Sequence, residues 1–94
     1  MPKAVWNGVV IAQSEETLVV EGRHYFPPDG VHTDYLKPSA TQSVCPWKGT
    51  ASYYHVEAGG KINADAAFTY PQTKPAAKEI ERYIAFWKGV EVVE

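Results

Sequence analysis

Thr50-Ala51-Ser52-Tyr53-Tyr54-His55-Val56-Glu57, followed by Ala58-Gly59-Gly60-Lys61, is the stretch that decides the fold. Its β-branched and aromatic residues suit a pleated, half-buried surface, and the glycine pair supplies the backbone freedom of a tight turn. Residues Ile62 to Tyr70 are expected to return as the partner strand, with a break near Asn63-Ala64-Asp65. Alternation places Tyr53 and His55 on one face of the first strand, and Ser52, Tyr54 and Val56 on the other. With Tyr54 and Val56 facing the core, Tyr53 and His55 point to solvent or a cleft.

The same grammar extends in both directions. Upstream, Ala4 to Trp6 and Val9 to Ala12 flank Asn7-Gly8, a dipeptide suited to two consecutive positive φ angles. Thr17 to Glu21 and Arg23 to Phe26 read as two further strands around Gly22, stopped by Pro27-Pro28-Asp29-Gly30. Val31 to Ala40 has no clear period and reads as an irregular connection with a helical turn near Thr33 to Leu36. Thr41 to Cys45 is expected as a strand leading into Pro46-Trp47-Lys48-Gly49. Downstream, Pro75 suits a first helical position, and the spacing of Ala76, Ala77, Ile80 and Tyr83 predicts one short helix. Lys88-Gly89 turns the chain into a closing strand, Val90 to Val93. Trp-x-Gly occurs three times, at Trp6, Trp47 and Trp87; the first and third are expected in Trp-x-Gly-Val hairpins, and all three read as aromatic residues ending strands before tight turns. The expected fold is mainly β: a single compact domain over residues 1–94, built from antiparallel hairpins forming a bent sheet, with one short helix near the C-terminus.

The chain has 94 residues, 13% of them aromatic, and a formal net charge of −2. A nucleic-acid binder of this size normally carries a basic stripe and a pI above about 9; here the pI is about 5.9, so no nucleic-acid partner is expected. No segment approaches the roughly 18 apolar residues of a membrane span, and no signal-peptide pattern is read at the N-terminus. A membrane partner is therefore not expected, and a reducing cytoplasm fits the single cysteine. With only Cys45, neither an internal disulfide nor a multi-cysteine zinc site can form. His24, His32 and His55 fall in no metal-ligand spacing. No cofactor is implied, and no feature sets an oligomeric state.

Cys45-Pro46-Trp47-Lys48-Gly49 is the most distinctive chemical stretch. A cleft built from Tyr25, Cys45, Trp47, Lys48, Tyr53 and Tyr70 would suit a small, flat or anionic ligand: the aromatic rings stack, and Lys48 pairs with negative charge. An alternative makes the protein an enzyme with Cys45 as nucleophile and His24 or His55 as base, with Lys48 helping to lower the thiol pKa. A third reading is a protein–protein interaction module using exposed aromatics or strand edges.

Trp6-Asn7-Gly8-Val9-Val10-Ile11-Ala12, Tyr25-Phe26-Pro27-Pro28, Cys45-Pro46-Trp47-Lys48-Gly49 with Ala51-Ser52-Tyr53-Tyr54, Ala66-Ala67-Phe68-Thr69-Tyr70-Pro71 and Ala85-Phe86-Trp87 follow one another in a characteristic order. Together they resemble the bacterial family catalogued as domain of unknown function number four hundred and twenty-seven. The resemblance covers almost the whole chain and implies a strongly bent, β-tent-like domain. β-Tent relatives include zinc-binding modules and methionine sulfoxide reductases, but this chain lacks their paired Cys-x-x-Cys motifs, so their metal site is not implied. A nucleotidyltransferase-like label attached to the family finds neither a phosphate loop nor paired catalytic carboxylates here.

Overall fold

The computed structural model describes residues 1–94. β1 (Lys3–Trp6) and β2 (Val9–Gln13) form the first hairpin. Asn7 and Gly8 sit at φ 51° and 74°, the two-residue geometry whose twist matches that of paired strands. β3 (Leu18–Val20) and β4 (Arg23–Tyr25) form the second hairpin, closed in the same way by Glu21 and Gly22 at φ 54° and 76°. β5 (Leu36–Cys45), β6 (Gly49–Ala58), β7 (Lys61–Thr69) and β8 (Ile84–Phe86) make a four-stranded antiparallel sheet in that order. β9 (Glu91–Val93) returns to the far end of the chain and pairs with β1.

The strands are thus distributed over three antiparallel sheets, not one continuous bent sheet. Backbone bridges tie the sheets together. Phe26 and Ile84 exchange both hydrogen bonds at 2.8 Å, which fastens the β3–β4 hairpin to the edge strand β8. A radius of gyration of 12.4 Å agrees with the ~12 Å of a compact domain of this length.

β6 organises the interior because both of its faces are used. Tyr54, Val56 and Ala58 join the larger core, which contains Ile11, Phe26 and Phe86. Ala51 and Tyr53 turn to the smaller one, with Tyr25, Tyr70, Ala77 and Ile80. The Phe26 and Phe86 rings meet edge-on at 5.7 Å, and full burial of a side chain such as Phe26 contributes about 2–3 kcal/mol. The expected break in β7 is a bulge. Its register against β6 shifts between Tyr54 and Val56, and Asp65 takes φ 56°. Asp65 is fixed there by hydroxyl donors from Ser39 (2.5 Å) and Thr41 (2.9 Å).

Three expectations need correction. Residues 75–80 form a 3-10 turn with a non-helical kink at Ala77, not a regular helix. Only Ala77 and Ile80 are buried there, and residues three apart align in the 3-10 geometry, so no longer helix is needed. β5 begins at Leu36, inside the stretch read as irregular. It is an edge strand paired only with β6, and an edge tolerates the donor lost at Pro38. The register slips between Pro38 and Gln42, which erases the alternation a sequence reading looks for. Finally, Trp87-Lys88-Gly89 is not a hairpin. Lys88 and Gly89 have the same positive φ as Asn7 and Gly8, but the turn carries the chain from the sheet of β8 to that of β9.

Candidate functional site

Lys48 occupies the turn between β5 and β6, where Cys45 pairs with Gly49. The turn is held from one side by residues 72–74. The Lys74 N–H donates to the Lys48 carbonyl at 3.0 Å, and Lys74 Nζ donates to the Pro46 carbonyl at 2.6 Å. Gly49 lies at φ 119°, and a Cβ there would stand 3.0 Å from the Gln72 carbonyl oxygen, so this position requires glycine. The Lys48 side chain is thereby aimed inward and becomes buried. Its Nζ lies 5.0 Å from the Trp47 ring centroid and 5.7 Å from that of Tyr70.

A buried ammonium must be paired, and Glu21 supplies the partner. Its carboxylate accepts a hydrogen bond from Lys48 Nζ. The two side chains differ sharply in exposure, 8% for Lys48 and 62% for Glu21. The tight β3–β4 turn delivers Glu21 at a positive φ, a conformation that costs a non-glycine residue on the order of 1 kcal/mol.

Above the ion pair opens a cleft of about 280 Å³, lined by Lys48, Glu21, Arg23 and Val20 and by the rings of Tyr25, Tyr53, Phe68, Tyr70 and Trp87. Phe68 is the hub of these rings. Its centroid lies 5.6 Å from that of Tyr53, 6.2 Å from Tyr25, and 6.3 Å from both Tyr70 and Trp87. Cross-strand pairing sets Tyr53 against Phe68, while the period-2 alternation of an extended chain directs Phe68 and Tyr70 to one side. Arg23 lies over the Phe68 ring at 5.7 Å and donates to the Phe86 carbonyl at 2.6 Å, so its guanidinium is already engaged.

Burial alone disfavours the Lys48 ammonium, but the bond to Glu21 and the negative charge that Tyr25, Tyr70 and Glu21 carry when ionised outweigh it; the pKa lies above the ordinary lysine value. The hydrogen bond and charge of Lys48 hold Glu21 below the ordinary carboxyl value. Burial raises the Tyr25 and Tyr70 phenols despite the opposing pull of Lys48. Near neutral pH the cleft floor therefore presents one ammonium and two protonated phenols.

Of the residues expected from sequence, Tyr25, Lys48, Tyr53 and Tyr70 line this cleft. Trp47 lies beside it, stacked on Lys48. Cys45 is half-buried at the edge of the smaller core and does not line the cavity. The histidines expected as bases are engaged elsewhere. His24 Nδ1 is 2.9 Å from the Thr17 hydroxyl, and its Nε2 is 3.4 Å from Glu94. His55 Nδ1 accepts the Asp65 N–H at 3.1 Å. Cys45 is opposite Gly49 on β6, and His55 lies six residues farther along that strand, a distance of about 20 Å at a strand's rise. The proposed Cys45–His55 pairing is thus separated by the register of β6, and His24 has other partners.

Val20, Glu21, Arg23, Phe68 and Trp87 complete the cleft and were not among the expected site residues. Glu21 and Arg23 flank the turn glycine Gly22, the one local signal that they would project together. No group of three or more His, Cys, Asp or Glu side chains is placed to hold a metal ion. No helix is long and apolar enough to cross a membrane.

Residues 2–94 match the family described as "Domain of unknown function (DUF427)", and the chain belongs to that family. No curated protein matches it.

Proposed function

For this member of the domain-of-unknown-function family, we propose that the protein binds a small, flat, anionic ligand in the cleft between the β3–β4 hairpin and the β6–β7 pair. One observation carries the reading: a buried lysine ammonium opens onto a cavity walled by five aromatic rings. Aromatic walls reward planar ligands through stacking, and a few convergent polar groups on an apolar wall fix orientation. The volume, about 280 Å³, sits at the lower end of the ~300–1,000 Å³ typical of ligand pockets. That size favours a ligand of one or two fused rings over a dinucleotide.

The test is a panel of planar anions set against neutral compounds of the same shape, followed by thermal shift and tryptophan fluorescence. Planar anions are expected to raise the melting temperature and alter the emission, and their neutral counterparts to do neither. Lys48→Met is expected to abolish the response. Equal responses from charged and neutral compounds, or an unchanged response in the variant, would overturn the reading.

A further inference from the structure

We propose that the ligand is an aromatic carboxylate whose carboxylate group replaces that of Glu21 at Lys48, so that Glu21 is a tethered occupant of the anion position. The inference rests on the ligand-binding reading above and adds the chemistry of the anionic group and the identity of its competitor.

The Glu21 contact shows what the position accepts: a carboxylate oxygen receiving a hydrogen bond from Lys48 Nζ. The asymmetry of the pair shows which partner can leave. Lys48 is enclosed, whereas Glu21 is mostly in water. A released Glu21 recovers full hydration at little cost, because its carboxylate is already mostly in water. Lys48 has no comparable escape and needs an anion in the same place. An incoming carboxylate keeps that pairing, and its ring adds stacking on Phe68 and its neighbours that the glutamate's flexible chain cannot offer.

Charge and space favour a monoanion. Lys48 is the cation that a carboxylate already meets in this structure, while Arg23, which also lines the cleft, is held over the Phe68 ring by its hydrogen bond to the Phe86 carbonyl. A free phosphate dianion would bring two charges where Glu21 brings one, and it has no ring to stack on the aromatic wall. There is also room for the displaced side chain. Glu21, Arg23 and Trp87 form a wall shared with a second cavity of about 310 Å³ on the other side of the hairpin tip.

The experiment titrates benzoate and inorganic phosphate into the wild-type protein, Glu21→Gln, and the control Glu57→Gln, which makes the same charge change at an exposed position of β6. Benzoate is expected to bind Glu21→Gln at least fivefold more tightly than wild type or Glu57→Gln, and phosphate to bind none of them measurably. Benzoate affinity that is unchanged in Glu21→Gln, or tightened equally in Glu57→Gln, would refute displacement and leave the cleft reading intact. Phosphate binding in preference to benzoate would overturn the carboxylate assignment alone. Failure of every planar anion to bind would remove the cleft reading itself. If Glu21→Gln folds poorly, the wild-type protein decides: the side-chain carboxyl carbon-13 resonance of Glu21 is expected to move as benzoate saturates the site. A stationary resonance under saturation would overturn the proposal.

Discussion

Lys48 and Glu21, 27 residues apart in sequence, form an ion pair in which the cation is buried and the anion exposed. This asymmetry makes the effect of removing one partner depend on which is removed. Without Lys48, Glu21 simply faces water; without Glu21, a buried ammonium is stranded.

Lys48→Met is therefore expected to leave the melting temperature within about 3 °C of wild type, because methionine keeps the buried aliphatic stem and discards only the charge. Lys48→Ala also empties the space beneath Tyr70 and is expected to cost about 1–3 kcal/mol. Thermal melts of both variants check this. A large destabilisation by Lys48→Met would make the ion pair a structural element.

Phe68 touches the rings of Tyr25, Tyr53, Tyr70 and Trp87. Phe68→Ala is expected to destabilise the fold by about 2–3 kcal/mol, below the full cost for a wholly buried phenylalanine because Phe68 is only half-buried. Phe68→Leu should restore most of the stability but not the stacking surface. Denaturant titration paired with benzoate binding separates the two effects: Phe68→Leu that folds well and binds as wild type would show that the rings do not contribute to recognition.

Most of this architecture was legible in the sequence because its signals are local. Asn7-Gly8 and Gly59-Gly60 mark hairpins by backbone chemistry alone, and the alternation around Tyr53 assigns the two faces of β6. Tyr25, Lys48, Tyr53 and Tyr70 belong to distinctive local stretches. What escaped was the product of register. Glu21 meets Lys48 only because the β3–β4 hairpin is fastened to β8 through Phe26 and Ile84, a pairing that no local pattern encodes. The helix over 75–83 failed for a related reason. The periodicity of Ala77 and Ile80 is genuine, but three-residue spacing serves a 3-10 turn as well as an α-helix, and isolated helices this short are marginal.

Acid should weaken the fold through three carboxylates held below their ordinary values. The bond from Lys48 depresses Glu21, those from Ser39 and Thr41 depress Asp65, and those from Lys78 and the Thr73 N–H depress Glu81. A carboxyl whose pKa is lower in the folded state contributes stability above its unfolded pKa, and that contribution is lost as pH falls through the folded value. The melting temperature is expected to be insensitive to these groups above about pH 5 and to fall below about pH 4. A double variant, Asp65→Asn with Glu81→Gln, should melt lower at neutral pH and show a shallower acid limb. An acid limb as steep as that of wild type would assign the pH dependence to other groups.

Asp65 adds a conformational constraint, since its φ of 56° is strained for most side chains and tolerable for asparagine. Asp65→Asn is expected to cost less than Asp65→Val, which loses the acceptors for Ser39 and Thr41 and places a β-branched residue in the left-handed region. The difference should be on the order of 2 kcal/mol. Equal destabilisation would mean that the bulge relaxes and that neither the angle nor the hydroxyl bonds specify it.

Thr69 offers the opposite case, a position where the native residue is not the most stable choice. Its side chain is buried on β7, and its hydroxyl oxygen has no hydrogen-bond partner in the protein. An unsatisfied buried hydroxyl costs about 1–3 kcal/mol, whereas an apolar group of the same shape carries no such penalty. Valine matches threonine in shape and has high strand propensity. Thr69→Val is expected to raise stability by about 1 kcal/mol, or several degrees in melting temperature for a domain of this size. Because Thr69 does not line the cleft, benzoate affinity should be unchanged. A destabilised Thr69→Val would show that the hydroxyl has a partner in solution, and altered affinity would tie this strand position to the cleft through its neighbours Phe68 and Tyr70.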